Sequence, residues 1–389
     1  MINAFTFAPT PQLHFGAGKI SVLPGTVSAF GSKMLLVTGA RSFVSSDMGR
    51  SLIGILETKG EVYSCVIDRE PSPEMIDRVV KQFRESRPDV VVAIGGGSVV
   101  DAGKAISAML TLATPVTDFL EGVGTLTHPG SKVPFIAIPT TAGTGSEATK
   151  NAVLSKTGDN GFKRSLRHNK FVPDVAIVDP ALCLSCPPHV TAASGMDAFT
   201  QLLESYLSAV SNPVTDALAL EGLSRIARSL KRAFYDGGDL NARTDMSLAA
   251  YLSGITLANA GLGLVHGFAS SIGGYYDVPH GVVCSTMMPA ANQVTVRKLR
   301  RTKENDDALR RYALVGKMFC GTAGGTDKYY CDALLGVIAD WRHEMKIPSL
   351  STLGINRDAF SRIASVTDNK NNPVPLDRDE IIEVLEMSA

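Results

Sequence analysis

Five short runs rich in apolar and β-branched residues recur between residues 34 and 178, each stopped by glycine, proline or aspartate. They are Met34–Thr38 before Gly39, Glu61–Ile67 before Asp68, Val90–Ile94 before Gly95-Gly96-Gly97, Phe135–Ile138 before Pro139, and Val175–Val178 before Asp179-Pro180. Strands this apolar are stable only where both sheet faces are covered, and helical stretches between them supply the cover, so the pattern predicts a parallel α/β sheet. After Pro187-Pro188 strand-like runs almost vanish. Helical spacing takes over in Thr191–Ala209, Val214–Phe234, Ala242–Ala260, Asp306–Phe319 and Ala333–His343. The expected architecture is an α/β N-terminal domain over residues 1–182 and an all-α C-terminal domain over 183–389. No repeat or low-complexity linker parts them, so they are expected to pack around a cleft.

A chain of 389 residues is long enough for two such cores. Lys+Arg and Asp+Glu balance at 38 each, which leaves no net field to draw in nucleic acid or an anionic membrane. The densest basic run, Arg297, Lys298, Arg300 and Arg301, reads as a solvated helix face. No uninterrupted apolar stretch reaches spanning length, and the N-terminus lacks the basic start and apolar run of a signal peptide. The six cysteines, at 65, 183, 186, 284, 320 and 331, are too sparse for a disulfide framework. Cys183 and Cys186 form a C-x-x-C with no second pair, which argues against a zinc knuckle. A reducing cytoplasm is the expected compartment.

Val90–Ser107 runs strand, Gly95-Gly96-Gly97-Ser98, then helix. Glycines at such a turn let the backbone approach a phosphate group. The helix that follows presents free N–H groups and its positive dipole end, and Ser98 adds a hydroxyl. A second polar, glycine-rich loop follows the next strand, with Thr140, Thr141, Thr144 and Ser146 as donors and Gly143 and Gly145 leaving room. Two such loops at the carboxyl ends of strands are where an open α/β sheet takes a nucleotide.

In the second half, Asp197 and Gln201 lie four residues apart on a predicted helix and share a face. His266 and His280 are separated by glycine-rich sequence that allows both to converge on that face.

In this order and at this spacing, GGGSVVDAGKA, PTTAGTGSE, GMDA and PHG resemble the iron-containing alcohol dehydrogenases, over a stretch from Phe15-Gly16-Ala17-Gly18 to about Pro289. The resemblance implies a dinucleotide-binding N-terminal domain, a helical metal-binding domain, and hydride transfer between NAD(P) and an alcohol/aldehyde pair in the cleft. By it, Gly95, Gly96, Gly97, Ser98 and Asp101 serve the pyrophosphate, while Thr140, Thr141, Thr144 and Ser146 line the adenine and ribose path. Lys163 falls near the nicotinamide ribose. NAD-restricted members often carry an aspartate where this chain has Gly39. Its absence, with Arg41 and Ser42 close by to meet a 2′-phosphate, favours NADP over NAD.

In the family, one aspartate and three histidines bind the metal, Fe2+ or Zn2+. Here Asp197, His266 and His280 match, and Gln201 replaces a histidine. A neutral amide oxygen is a poorer ligand for such ions. A weaker four-ligand site, a three-ligand site with water, and no metal at all are each open. One turn past His266, where many members have a proton-relaying histidine, stands Ser270. Ser270, Ser271 or water would complete the relay, and Asn151 is a candidate to touch substrate. Phe268 and Tyr275 are candidates for apolar contact with it. Two alternatives stand beside this reading: a metal-independent reductase resembling maleylacetate reductases, or a polyol dehydrogenase resembling glycerol dehydrogenase. A nucleotide-binding protein that has lost catalysis is a third. A small-molecule substrate and a homodimer or higher homo-oligomer are the expected partners, with no nucleic acid and no membrane.

Overall fold

The computed structural model describes residues 4–40 and 42–389. Eight strands are present among them: β1 (Gln12–Phe15), β2 (Lys33–Gly39), β3 (Glu61–Ile67), β4 (Val90–Gly95), β5 (Phe135–Pro139), β6 (Asn151–Lys156), β7 (Phe162–Arg167) and β8 (Val175–Val178). Six of them form one parallel sheet in the order β1-β8-β5-β4-β2-β3, and β6 and β7 make a separate antiparallel hairpin. The first four helices are α1 (Leu23–Ser28), α2 (Asp47–Glu57), α3 (Pro73–Phe83) and α4 (Gly97–Met109).

Successive side chains of a strand point to opposite faces, and here both faces are apolar. Leu35, Val37, Val91, Ala93 and Phe135 pack against α3 and α4. Met34, Leu36, Val92, Ile94 and Ile136 pack against α1 and α2 on the other side. Strands β2 and β4 are neighbours, yet the helices that follow them leave to opposite faces. That parting opens a crevice above their carboxyl ends, the place where such sheets bind ligands.

The helical part comprises α5 (Pro188–Leu207), α6 (Pro213–Tyr235), α7 (Leu240–Ala260), α8 (Leu264–Tyr275), α9 (His280–Thr302), α10 (Asp306–Cys320), α11 (Asp327–Glu344), α12 (Phe360–Val366) and α13 (Arg378–Met387). Helix α5 runs through its centre, buried along nearly its whole length after Gly195. The sheet meets these helices through a small cluster in which Ala176 and Val178 of β8 touch Tyr251 and Ile255 of α7. Among the described residues no single helix is long and apolar enough to cross a membrane.

Several elements differ from the sequence reading. Strand β1 is a four-residue edge strand with two exposed positions, too short and too polar to stand out. The β6–β7 hairpin is diluted by Lys156, Lys163, Arg164 and Arg167. Helix α11 begins six residues before the expected Ala333, because the Thr326 hydroxyl caps the Tyr329 N–H. The glycine-rich stretch around His266 is helix α8, a helix that the sequence periodicity did not single out. Glycine there serves close packing: a Cβ on Gly267 would lie 1.9 Å from the Asp368 carbonyl oxygen.

Candidate active site

Above the sheet's carboxyl edge lies a cleft of about 410 Å³ that reaches from the β4–α4 turn to helices α8 and α9. Gly97, Ser98, Asp101, Thr144, Ser146, Asn151, Lys163, Gln201, His266, Ser270 and His280 all line it. Gly96 caps α4 in an extended conformation with no side-chain cap, which leaves the Gly97 and Ser98 N–H groups available to an anion, while the Val99 N–H donates to the Gly96 carbonyl at 2.9 Å. A Cβ on Gly97 would fall 2.5 Å from Thr144 Cγ2, so the two glycine-rich loops interlock only because residue 97 has no side chain. Behind them the Thr140 N–H donates to the Gly95 carbonyl at 2.9 Å, and Thr141 packs beside Gly96. Gly39 ends β2, the strand next to β4, and Ser42 is exposed just beyond it. Arg41 lies outside the described residues.

Buried Lys104, one helical turn from Asp101, organises the second loop. Its ammonium donates to the Ser146 carbonyl at 2.7 Å, the Thr149 hydroxyl at 2.7 Å and the Asn151 carbonyl at 2.8 Å. Burial pulls its pKa down to about 8 against the pull of Asp101 and Glu147. Both Asp101 oxygens are engaged by the protein: one accepts from the Ser146 hydroxyl, the other from the Val153 N–H at 3.1 Å. Asn151 donates its amide to the Ser165 hydroxyl at 3.2 Å.

At the far end, α5 supplies Asp197, α8 supplies His266, and α9 supplies His280 and, one turn on, Cys284. One donor atom from each of the four lies within 4.8 Å of the other three. His266 Nε2 is 3.4 Å and His280 Nε2 3.8 Å from Asp197 Oδ1. Asp197 is wholly buried, yet neither of its oxygens has a hydrogen-bond partner among the described residues. A buried carboxylate without donors is costly unless a cation meets it. Glu204, two turns along α5 from Asp197, accepts from His266 Nδ1 at 2.7 Å and from the Gly263 and Val265 N–H groups at 2.9 and 2.6 Å. That bond leaves His266 Nε2 facing the cluster, the carboxylate–histidine arrangement typical of metal-binding imidazoles.

The electrostatics agree. Burial opposes a charged His266, but Glu204 and Asp197 outweigh it and raise its pKa well above the ordinary value. Burial, helped by the charges of Lys163 and His266, lowers His280 to about 4 and leaves its imidazole neutral, as a ligand must be. A centre that attracts a proton this strongly is suited to a divalent cation, and two imidazoles with a carboxylate fit iron or zinc. Gln201 lines the same cleft, but its Oε1 accepts from the Ser253 hydroxyl at 2.6 Å.

Lys163 pairs with Glu70, whose carboxylate also accepts from the Ser155 hydroxyl at 3.0 Å and from the His280 N–H at 3.1 Å. This links the hairpin to the start of α9. The Ser270 hydroxyl donates back to the His266 carbonyl at 2.9 Å, and Ser271 is tied to Phe268 and Thr367. Phe268 is sealed in the helical core and Tyr275 lies under the Arg362 guanidinium, so neither lines the cleft. Its apolar wall is Val153, Leu257 and Leu262.

Sequence reasoning missed Cys284, Glu204 and Glu70. The first two carried a signal, being four residues past His280 and seven past Asp197 on the same helical faces. Glu70 had none.

A crevice at the carboxyl ends of the strands that opens directly onto a buried, cation-seeking cluster is the arrangement of a metal-assisted, nucleotide-dependent oxidoreductase. The family model described as iron-containing alcohol dehydrogenase matches residues 9–180, and that for the Fe-containing alcohol dehydrogenase C-terminal region matches 191–389. The chain belongs to the iron-containing alcohol dehydrogenase family. It is 31% identical to alcohol dehydrogenase 4 of Saccharomyces cerevisiae, covering 99% of this chain and 98% of the relative. It is 28% identical to an NADPH-dependent butanol dehydrogenase of Clostridium saccharobutylicum, covering 96% and 95%. The crystal structure of a 1,3-propanediol oxidoreductase superposes with a TM-score of 0.88 at 29% identity, covering 100% of both chains.

Proposed function

We propose that this chain transfers hydride between NADP(H) and an alcohol/aldehyde pair, with a divalent metal, iron or zinc, bound by Asp197, His266 and His280. The observation that carries this reading is the partnerless, buried Asp197 carboxylate beside two imidazoles that line the same cleft as Gly97 and Ser98. When bound, the metal polarises the carbonyl oxygen for reduction and favours the alkoxide for oxidation.

The chain's own residues do the rest. The free N–H groups at the start of α4, with Gly95, Gly96, Gly97 and Ser98, take the pyrophosphate. Thr140, Thr141, Thr144 and Ser146 border the nucleotide path, and Asp101 acts by fixing Ser146. Lys163, anchored by Glu70, stands at the nicotinamide end. Glu204 sets the His266 ring. Ser270 reaches the cleft and passes a proton when its hydroxyl turns from the His266 carbonyl, and Asn151 borders the substrate. NADP is favoured over NAD because the uncharged Gly39 ends β2 beside the crevice, and a relative is named for NADPH dependence. The division into a cofactor domain and a metal domain near residue 182 is supported by the end of β8 at Val178 and the start of α5 at Pro188. Six free cysteines accord with a reducing, cytoplasmic compartment, and a homodimer follows from the family resemblance alone.

Asp197→Asn tests the reading. Loss of the cation removes several kcal/mol of charge stabilisation, so kcat for aldehyde reduction should fall about a thousandfold or more while NADPH still binds. Unchanged turnover in that variant would refute it.

A further inference from the structure

We propose that Cys284, rather than Gln201, supplies the fourth metal ligand, giving an Asp-His-His-thiolate site that prefers zinc(II) to iron(II). The inference rests on the metal site described above and assigns it a fourth donor from among the described residues.

Pro279 caps α9, so His280 and Cys284 lie one turn apart on the same helical face. The Cys284 sulfur is 3.7 Å from His266 Nε2 and 3.7 Å from His280 Nε2. With metal–nitrogen and metal–oxygen bonds of about 2.05 Å and a metal–sulfur bond of about 2.3 Å, a tetrahedron has N···S edges of about 3.6 Å and N···O edges of about 3.4 Å. The N···O separations here are 3.4 and 3.8 Å. Four of the six donor–donor separations are thus within about 0.4 Å of a tetrahedron's edges, and the other two are below 4.8 Å.

Gln201 offers a neutral amide oxygen, and that oxygen is held by Ser253 on α7. A histidine missing at 201 is thus matched by a donor on a different helix. Without metal, Cys284 is a buried thiol. A bound divalent ion changes this: the S–H bond breaks, an S–metal bond forms, and the proton leaves to solvent through the cleft. Thiolate is a soft donor, which moves selectivity from iron(II) toward zinc(II).

The test is cobalt(II) substitution of the full-length apoprotein, read by metal stoichiometry and by near-ultraviolet absorption. Wild type should bind one cobalt per chain and show a thiolate-to-cobalt charge-transfer band. Cys284→Ser should retain cobalt with affinity lowered about tenfold or more and lose the band. Cobalt bound without the band, or a band that survives in Cys284→Ser, overturns the thiolate ligand and leaves the metal site standing. No cobalt bound at all overturns both. Should Cys284→Ser fail to fold, X-ray absorption of zinc-loaded wild type decides. One sulfur at about 2.3 Å supports the proposal, and a shell of nitrogen and oxygen alone refutes it.

Discussion

Replacing Glu204 with glutamine changes one heavy atom and should disturb the site out of proportion to its size. The Glu204 carboxylate accepts three hydrogen bonds, from the Gly263 and Val265 N–H groups and from His266 Nδ1. A glutamine has one acceptor oxygen. If its amide group takes the place of Oε1, it confronts the Val265 N–H. If it takes the place of Oε2, it confronts the Gly263 N–H and donates to His266 Nδ1, which moves the imidazole proton to Nε2 and removes the lone pair a metal needs. Leaving one buried donor unmet costs about 1–3 kcal/mol, and losing the carboxylate behind a metal-binding histidine weakens affinity about 10- to 100-fold. Chelator competition on zinc-loaded wild type and Glu204→Gln measures the second quantity, and urea unfolding of the two apoproteins measures the first. Metal affinity unchanged within twofold would refute the argument that Glu204 sets the His266 ring.

Other outcomes follow from the same geometry. Gly97→Ala places a Cβ against Thr144 and should raise KM for NADPH about tenfold or more with a smaller effect on kcat, read by steady-state kinetics. Gly39→Asp puts a carboxylate at the end of β2 and should lower the NADPH-to-NADH preference in kcat/KM about tenfold, or 1.4 kcal/mol; an unchanged ratio would detach Gly39 from cofactor choice. Lys163→Met leaves Glu70 without its cation and should destabilise the fold by roughly 2–3 kcal/mol in urea unfolding, a modest figure for such a pair because the Glu70 side chain is 25% exposed. Asp245 has a pKa lowered to about 2: burial works against ionisation, but Arg228, Ser229 and Arg225 outweigh it. A depressed carboxylate stabilises the fold above its unfolded pKa of about 3.9 and loses that effect as pH falls toward the folded value. The Tm gap between wild type and Asp245→Asn should therefore be full at neutral pH and shrink below about pH 4. A gap that stays constant with pH would contradict the ion-pair account.

The strands buried on both faces were legible because burial demands continuous apolar runs, and β8 falls at the residues expected. Edge strand β1 and the β6–β7 hairpin were not, since each has water on one side and carries charge. Helix α8 was hidden because glycine weakens helical propensity, whereas tertiary contact requires it: Gly267 meets the Asp368 backbone too closely for any side chain. Asp197, His266 and His280 stood out by residue type. Cys284 and Glu204 sit at readable helical spacings, yet a cysteine or glutamate on a buried helix has no local mark of its role. Glu70 lies 210 residues from His280, whose N–H it accepts, and only the tertiary fold brings the β3–α3 loop to the start of α9.

The most direct test is reversible metal removal, followed by aldehyde-dependent oxidation of NADPH. The site geometry predicts that chelated protein still binds NADPH but turns over no aldehyde, and that zinc or iron restores the rate. Metal-stripped protein reducing aldehyde as fast as the reconstituted enzyme would contradict it.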